Sequence, residues 1–421
     1  MGRFGGALVA GFLFLVVPVR AQETCSLTQV TNTTGGNTFN LIPAIDAAGN
    51  RIAFESNADL LGTDASGNIE IFLWDASTGF TQITSTTSGV SLNPAIDAAG
   101  NRIAFESNAD PLGSNGDGNS EIFLWDVSTG LAQITNTTSG NSVSPAINAA
   151  GNRIAFVSST DLVGSNSDGN SEIFLWDAST GLSQITNTTS GISVSPAINA
   201  AGNRIAFVSS TNLVGSNSDG NSEIFLWDVS TGFTQITNTS IFTGNSGSPA
   251  INAAGNRITF ESNANLVGIN SGGNSEIFLW DASTGFTQIT NTTSGISVLP
   301  AIDAAGNRIA FRSDAPLGSN SDGNSEIFLW DASTGFTQIT NTTSGNSETP
   351  AINAAGNRIA FHSDADPLGS NGDRNNELFL ASCPLPVAAI PAVSPLGLGA
   401  LAVLLGLAAA WTFRRRMTLG R

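Results

Sequence analysis

The sequence predicts an all-β, seven-bladed propeller, and three observations lead there. The motif PAI(D/N)AAGNRI begins at Pro43, Pro94, Pro145, Pro196, Pro249, Pro300 and Pro350, at intervals of 51, 51, 51, 53, 51 and 50 residues. Each unit reads as four short strands with no helical period. The last unit stops one strand short, and the residues before the first unit match the strand it lacks. A fixed period near fifty leaves a solenoid, a propeller or an array of small domains, and the content of one unit decides among them.

Residues 94–144 show that content in order. PAI is a short apolar run, and DAAGN supplies the Asp/Asn and Gly that a tight turn with positive φ requires. RIAFES alternates, with Ile103 and Phe105 on one side of the pleat. The polar stretch NADPLGSNGDGNS leads into EIFLWD, where Ile122 and Leu124 face one way and Phe123 and Trp125 the other. A strand apolar on both faces must be covered on both faces. VSTG is a second turn, and LAQITNTT reads as a Thr-rich edge strand. A four-stranded sheet flanked by its own copies is a propeller blade; a β-solenoid coil would be much shorter.

The truncated copy, ending ELFLASC, is completed by the early segment CSLTQVTNTT. Leu27 takes the place of Phe80, Gln29 of Gln82 and Val30 of Ile83. In that register Cys383 stands where Ala76 does and Cys25 where Thr78 does, on two sides of one hairpin turn. A Cys25–Cys383 disulfide is expected, since such neighbours lie within bonding reach.

Both ends carry a different signal. Arg3, the apolar run Ala7–Val17 and the small residues Val19 and Ala21 read as a signal peptide over residues 1–21. Val393–Phe413 holds no charge, is long enough to span a bilayer, and is followed by Arg414, Arg415 and Arg416. The expected organisation is therefore a signal peptide (1–21), a propeller (22–383), a linker (384–392), a transmembrane or sorting helix (393–413) and a basic cytoplasmic tail (414–421). Export places the cysteines in an oxidising compartment. That is a periplasm, outer surface or medium of a Gram-negative-like bacterium, with at least transient membrane anchoring.

The chain has no Lys, no Tyr and one His, and its 33 acidic residues against 15 Arg give a net charge of −18. Such a surface repels phosphate backbones, which argues against nucleic-acid binding. No Ser–His–Asp arrangement, metal-type His/Cys cluster or phosphate-binding Gly loop is evident. His362 has Glu55, Glu106, Val157, Val208, Glu261 and Arg312 as its counterparts; a position that accepts all of these reads as a tolerant surface or strand-flank site. The Trp residues at 74, 125, 176, 227, 280 and 330 read as inter-blade packing rather than a sugar-stacking ring.

Oxygen-bearing residues alternate before the third strand: Asn115, Asp117, Asn119 and Glu121, with Asp168 and Glu172, Asp219 and Glu223, and Asp322 and Glu326 in the copies. Oxygen ligands at alternate positions around a Gly suit a hard cation such as calcium; the alternative is an Asx-rich turn satisfying its own backbone. The loops of this kind, such as Ser107–Ser120, share a rim with the inter-blade segments, such as Thr138–Ser144. The opposite rim has only tight turns. A ligand, and calcium if bound, is expected on the long-loop rim.

GNRIAF, the SDGN before the third strand, EIFLWD and QIT in the last strand, found across residues 25–383, resemble the TolB-type, WD-repeat-like propeller family. Ile390-Pro391, Ser394, the apolar span and the arginine cluster resemble the bacterial IPTL-type C-terminal sorting segments. That resemblance implies recognition and cutting of the tail by a membrane-embedded processing enzyme. The expected function is a non-catalytic binding scaffold for a macromolecule or surface component. The alternatives are a hydrolase or lyase acting on a polysaccharide or peptide with acids at the ring mouth, or a structural matrix component.

Overall fold

The computed structural model describes residues 24–386, apart from 36–37, 63–65 and 241. The segments read as signal peptide, apolar span and basic tail lie outside the described residues. Within them, seven four-stranded antiparallel sheets form a ring. Blade one is Asn40–Ile45, Arg51–Ser56, Glu70–Asp75 and Gly79–Gln82 from the axis outward. The other blades repeat this plan.

Blade seven contributes Ser347–Ile352, Arg358–Ser363 and Glu377–Ser382, and its outer strand is Ser26–Gln29 from the other end of the chain. Ser26 pairs with Ser382 and Gln29 with Phe379, as the sequence predicts. Cys25 and Cys383 form a disulfide with their Cα atoms 4.2 Å apart. Leu27 packs there on Ala381, which stands where the other blades carry Trp.

The core lies between blades. At the junction of blades one and two, Ala53, Ile71 and Leu73 meet Ile103, Phe105 and Phe123, with Trp125 half-buried at the edge. This is the two-faced third strand put to use: Ile122 and Leu124 face the next blade, Phe123 and Trp125 the preceding one. The six Trp residues of the blades, at 74, 125, 176, 227, 280 and 330, lie against such a junction. Within every blade two Phe rings stack with centroids 5.7 to 5.9 Å apart. Fourteen Phe side chains, two in every blade, are fully buried, each stabilising the fold by roughly 1.5–3 kcal/mol relative to exposure.

An Arg belt ties the blades along the short-turn rim. Arg51 Nε donates to Asp75 Oδ2 at 2.6 Å, and its Nη1 donates to the Gly100 carbonyl of the next blade at 3.1 Å. The pattern continues to Arg358, whose Nη1 reaches Gly49 O at 3.2 Å and closes the circle. Gly100 has φ +68°, and a Cβ there would lie 2.5 Å from Arg51 Cδ, so glycine is required on both counts. The Asp partners are held in the charged form: Asp228 is lowered to about 2 by the Ser230 hydroxyl and N–H, with Arg204 adding to them.

The fourth strand differs from its sequence reading. It ends at the Gln of QIT, as in Gly130–Gln133. The threonines beyond are not edge-strand residues but ties to the third strand. Thr135 Oγ1 accepts from Ile122 N at 2.8 Å, and Thr137 donates through N and Oγ1 to Glu121 Oε1 at 2.6 Å each. A Thr side chain can satisfy a neighbouring backbone where the ladder has ended, and propensity alone does not distinguish that from a strand position.

Candidate functional site at the channel mouth and long-loop rim

The innermost strand of every blade is bulged. Leu92 pairs with Glu106 and Ala95 with Ala104, so Asn93 and Pro94 together oppose Phe105. The bulge residue has positive φ in all seven blades, from 45° at Ile42 to 54° at Ser144 and Ser195. At Ile42 and Thr349, both β-branched, this conformation is strained by roughly 1–3 kcal/mol. The next residue is always Pro. On an inner edge facing the axis a missing N–H costs no ladder bond. The Pro-Ala-Ile runs of the seven blades line a central cavity of about 340 Å³ with apolar groups.

Above this channel lies the fifth position of the second strand. Glu55 Oε2 accepts from Asn93 N at 3.1 Å, Glu106 Oε2 from Ser144 N at 2.6 Å, and Glu261 Oε2 from Leu299 N at 2.9 Å. Each carboxylate thus ties down the bulge of the following blade. Burial pushes Glu55 up from 4.5 to about 7 against the Asn93 N–H, with Glu106 adding to the rise, and burial also raises Glu106. Arg312 and Glu348 form an ion pair at 3.7 Å. His362 is paired across the ladder with Glu348 near the end of its strand and only 7% exposed, which rules out the surface half of its reading as a surface or strand-flank site. Burial lowers it to about 4, so it is neutral at physiological pH. The variety at this position reflects a local contact that each junction solves separately.

The residues read as possible cation ligands separate into three environments. Asn115 is buried, and its Nδ2 donates to the Ala109 and Asn119 carbonyls at 3.0 Å each, which closes the loop on itself. Asn119 Nδ2 lies 3.0 Å from Glu121 Oε1 and 2.9 Å from Thr137 Oγ1. Glu121, Glu172, Glu223 and Glu326 are fully buried at the base of the loop. Asp117, Asp168, Asp219 and Asp322 are exposed at its tip. The structure therefore brings Asn119 and Glu121 together, while the aspartates stand at the exposed tip, where Asp322 Oδ1 accepts from Asn324 N at 3.5 Å. Among the described residues no group of three or more His, Cys, Asp or Glu side chains is placed to hold a metal ion.

Glu377 shows a further feature of these buried glutamates. Its Oε2 accepts from Thr31 Oγ1 and from Asn40 Nδ2, the latter at 3.1 Å. In the other junctions the place of Asn40 is taken by Ser, and Oε2 of Glu121, Glu172, Glu223, Glu276 and Glu326 has no hydrogen-bond partner.

The sequence reading missed a rim feature. Leu61, Leu112, Val163, Val214, Val267 and Leu368 are 37 to 46% exposed at one repeated loop position. Each precedes a glycine of positive φ. The signal was the recurring Leu-Gly or Val-Gly dipeptide inside an otherwise polar loop. Ser114 Oγ donates to Gln133, at the end of the outer strand, so this loop reaches outward across the rim.

No family model matches the chain, and no curated protein matches it. Solved structures do. An oligogalacturonate lyase from Vibrio parahaemolyticus is similar over 86% of this chain and 99% of its own, at 11% identity and a TM-score of 0.58. The β-propeller domain of the Trilobed protease from Pyrococcus furiosus is similar over 82% and 95%, at 13% identity and 0.55. TolB from Acinetobacter baumannii is similar over 80% of this chain and 64% of its own, at 19% identity and 0.44. Likeness at such identities is likeness of fold. The chain is a β-propeller with seven blades, closed by a strand from its own N-terminal side.

Proposed function

We propose that this protein is an exported binding scaffold that meets a macromolecule or surface component on its long-loop rim. The observation that carries the reading is the repeated set of exposed aliphatic side chains from Leu61 to Leu368, presented by a rigid ring on loops that are otherwise polar. The mouth groups with raised pKa favour binding over catalysis, because Glu55 and Glu106 are each engaged by a backbone N–H of the next blade. The Cys25–Cys383 bond supports an oxidising compartment. In this reading residues 1–21 direct export, and the apolar span 393–413 holds the protein at a membrane until a processing enzyme acts on the tail.

A second reading, a hydrolase or lyase, is favoured by one observation: Glu55 lies at about 7, in the range of a general acid. Product formation from polysaccharide or peptide substrates that is lost in Glu55→Gln would establish it.

The scaffold reading is tested with the full-length chain in detergent, immobilised and exposed to solubilised envelope material of the producing cells. Hydrogen exchange then maps the bound face. Protection of the long-loop rim is expected. Capture of nothing, or protection confined to the short-turn rim, refutes the proposal.

A further inference from the structure

The ring is close to seven-fold repetitive, and three departures from the repeat coincide at one junction, between blades four and five. The interval from Pro196 to Pro249 is 53 residues, two more than its neighbours, and the extra length lies in the connecting loop. That loop carries Phe242, which at 95% is the most exposed large apolar side chain among the described residues. Five residues on, Gly247 stands where the other blades have Leu41, Leu92, Val143, Val194, Val298 and Glu348.

The consequence of the missing side chain is a cavity. Gly247 pairs with Glu261 across the ladder. A Cβ at 247 would sit 3.4 Å from Glu261 Oε1, so this oxygen faces the space that the glycine leaves. The cavity measures about 390 Å³; Val194 and Val208 form part of its wall, and the rest is polar, with Ser195, Ser222, Asn245 and Asn263 besides Glu261. That volume lies in the range of small-ligand sites. Phe242 stands three residues before the wall residue Asn245, on the same connecting loop.

The chemistry of the lining selects the ligand. Hydroxyls and amides both donate and accept, which suits a ligand whose own groups do both. No Arg is in the lining, and Glu261 presents a carboxyl oxygen to it, so an anionic ligand has no cation to meet. The walls are too polar to reward an acyl chain. The exposed aromatic ring on the loop that supplies the wall residue Asn245 offers a flat apolar face, which complements the C–H face of a pyranose. We propose that the junction of blades four and five is a binding site for a neutral saccharide, one sugar unit entering the cavity and the next lying on Phe242. This rests on the scaffold reading and names the ligand class of one sector of its rim.

The test is calorimetry on the full-length protein with chitotetraose and cellotetraose as neutral probes and a galacturonate tetramer as the acidic one. At least one neutral probe is expected to bind, and the acidic one roughly tenfold or more weakly. Gly247→Val installs the residue that blade six carries as Val298, so the ring has already accommodated it, and it is expected to weaken binding by about tenfold or more. Phe242→Ala, on an exposed loop, is expected to weaken it about three- to tenfold and keeps the test available should the first variant misfold. Binding of neither neutral probe, or affinity unchanged within about twofold in either folded variant, overturns the proposal. If envelope material still protects the long-loop rim in that case, the saccharide site fails and the scaffold reading stands.

Discussion

Replacing both Cys25 and Cys383 by Ser removes the one covalent tie between the ends of the ring. Their separation is 358 residues. In the chain-entropy description, a loop of that length restrains the unfolded chain by about 20 cal/mol/K, or roughly 6 kcal/mol near room temperature. Residual structure in the unfolded state makes this an upper figure. A ring of roughly 360 residues unfolds with an entropy of about 0.75 kcal/mol/K near its midpoint, so the loss converts to a fall in Tm of up to about 8 °C. The ring should still close without the bond. Leu27 remains in its cluster, Thr33 still donates to Glu377 Oε1, and Asn40 still reaches Glu377 Oε2. Calorimetry of the double variant should therefore show one transition at a lower temperature. Hydrogen exchange should show faster opening confined to Ser26–Gln29 and its partner strand. A Tm within about 2 °C of the parent, or unchanged protection at Ser26–Gln29, would refute the reasoning.

Glu55 favours its protonated form in the fold, so its contribution is greatest below its ordinary value of 4.5 and is lost as pH rises through about 7. Glu55→Gln keeps an acceptor for Asn93 N. It should raise stability above pH 7 by on the order of 2 kcal/mol and flatten the denaturation midpoint between pH 4.5 and 7. His362 works in the opposite direction: the fold keeps it neutral down to about 4, so stability drops as pH falls below 6.5, and His362→Gln should remove that part of the acid sensitivity. Ser193→Asn copies Asn40 and offers a donor to Glu172 Oε2; a gain of about 1–2 kcal/mol in urea denaturation is expected, and no gain would mean that the oxygen is otherwise satisfied. Gly151→Ala places a Cβ 2.6 Å from Arg102 Cδ at a residue with φ +67°, and should lower Tm more than Gly130→Ala, where φ is also positive but nothing lies within 4 Å.

The ring was legible because repetition makes one argument seven times. Apolar residues on both faces of EIFLWD demanded neighbours on both faces. The short last copy demanded a strand from elsewhere, and Cys25 and Cys383 fell into register once Leu27 was set against Phe80. The fourth strand was overextended because a Thr tied to a buried Glu and a Thr in a ladder look alike in one dimension. Variety at the position of His362 does not mean exposure: Glu55 and Glu106 are buried there and Glu261 is half-buried, each an acceptor for a bulge that no pattern announces. The alternation of Asn115, Asp117, Asn119 and Glu121 was visible, but the side-chain directions that divide it into a closed loop, a buried tie and a solvent-facing tip were not. Gly247 breaks the run of Leu, Val or Glu at its position in the other blades; that it opens a cavity depends on Glu261 standing opposite.

Near-identity of the blades also creates an assembly problem. A third strand such as Glu172–Asp177 could accept the outer strand of any blade, since Gly181–Gln184 and Gly130–Gln133 differ at one residue. A newly made chain is thus exposed to slippage by whole blades, which would leave a smaller ring and a spare arm. The terminal strand is the exception, because it is addressed. Leu27 fits beside the small Ala381 rather than a Trp, Asn40 alone among the first-strand residues answers Glu377, and Cys25 has one possible partner. Mistaken closures forgo all three, so the oxidised bond records that the count of blades came out right.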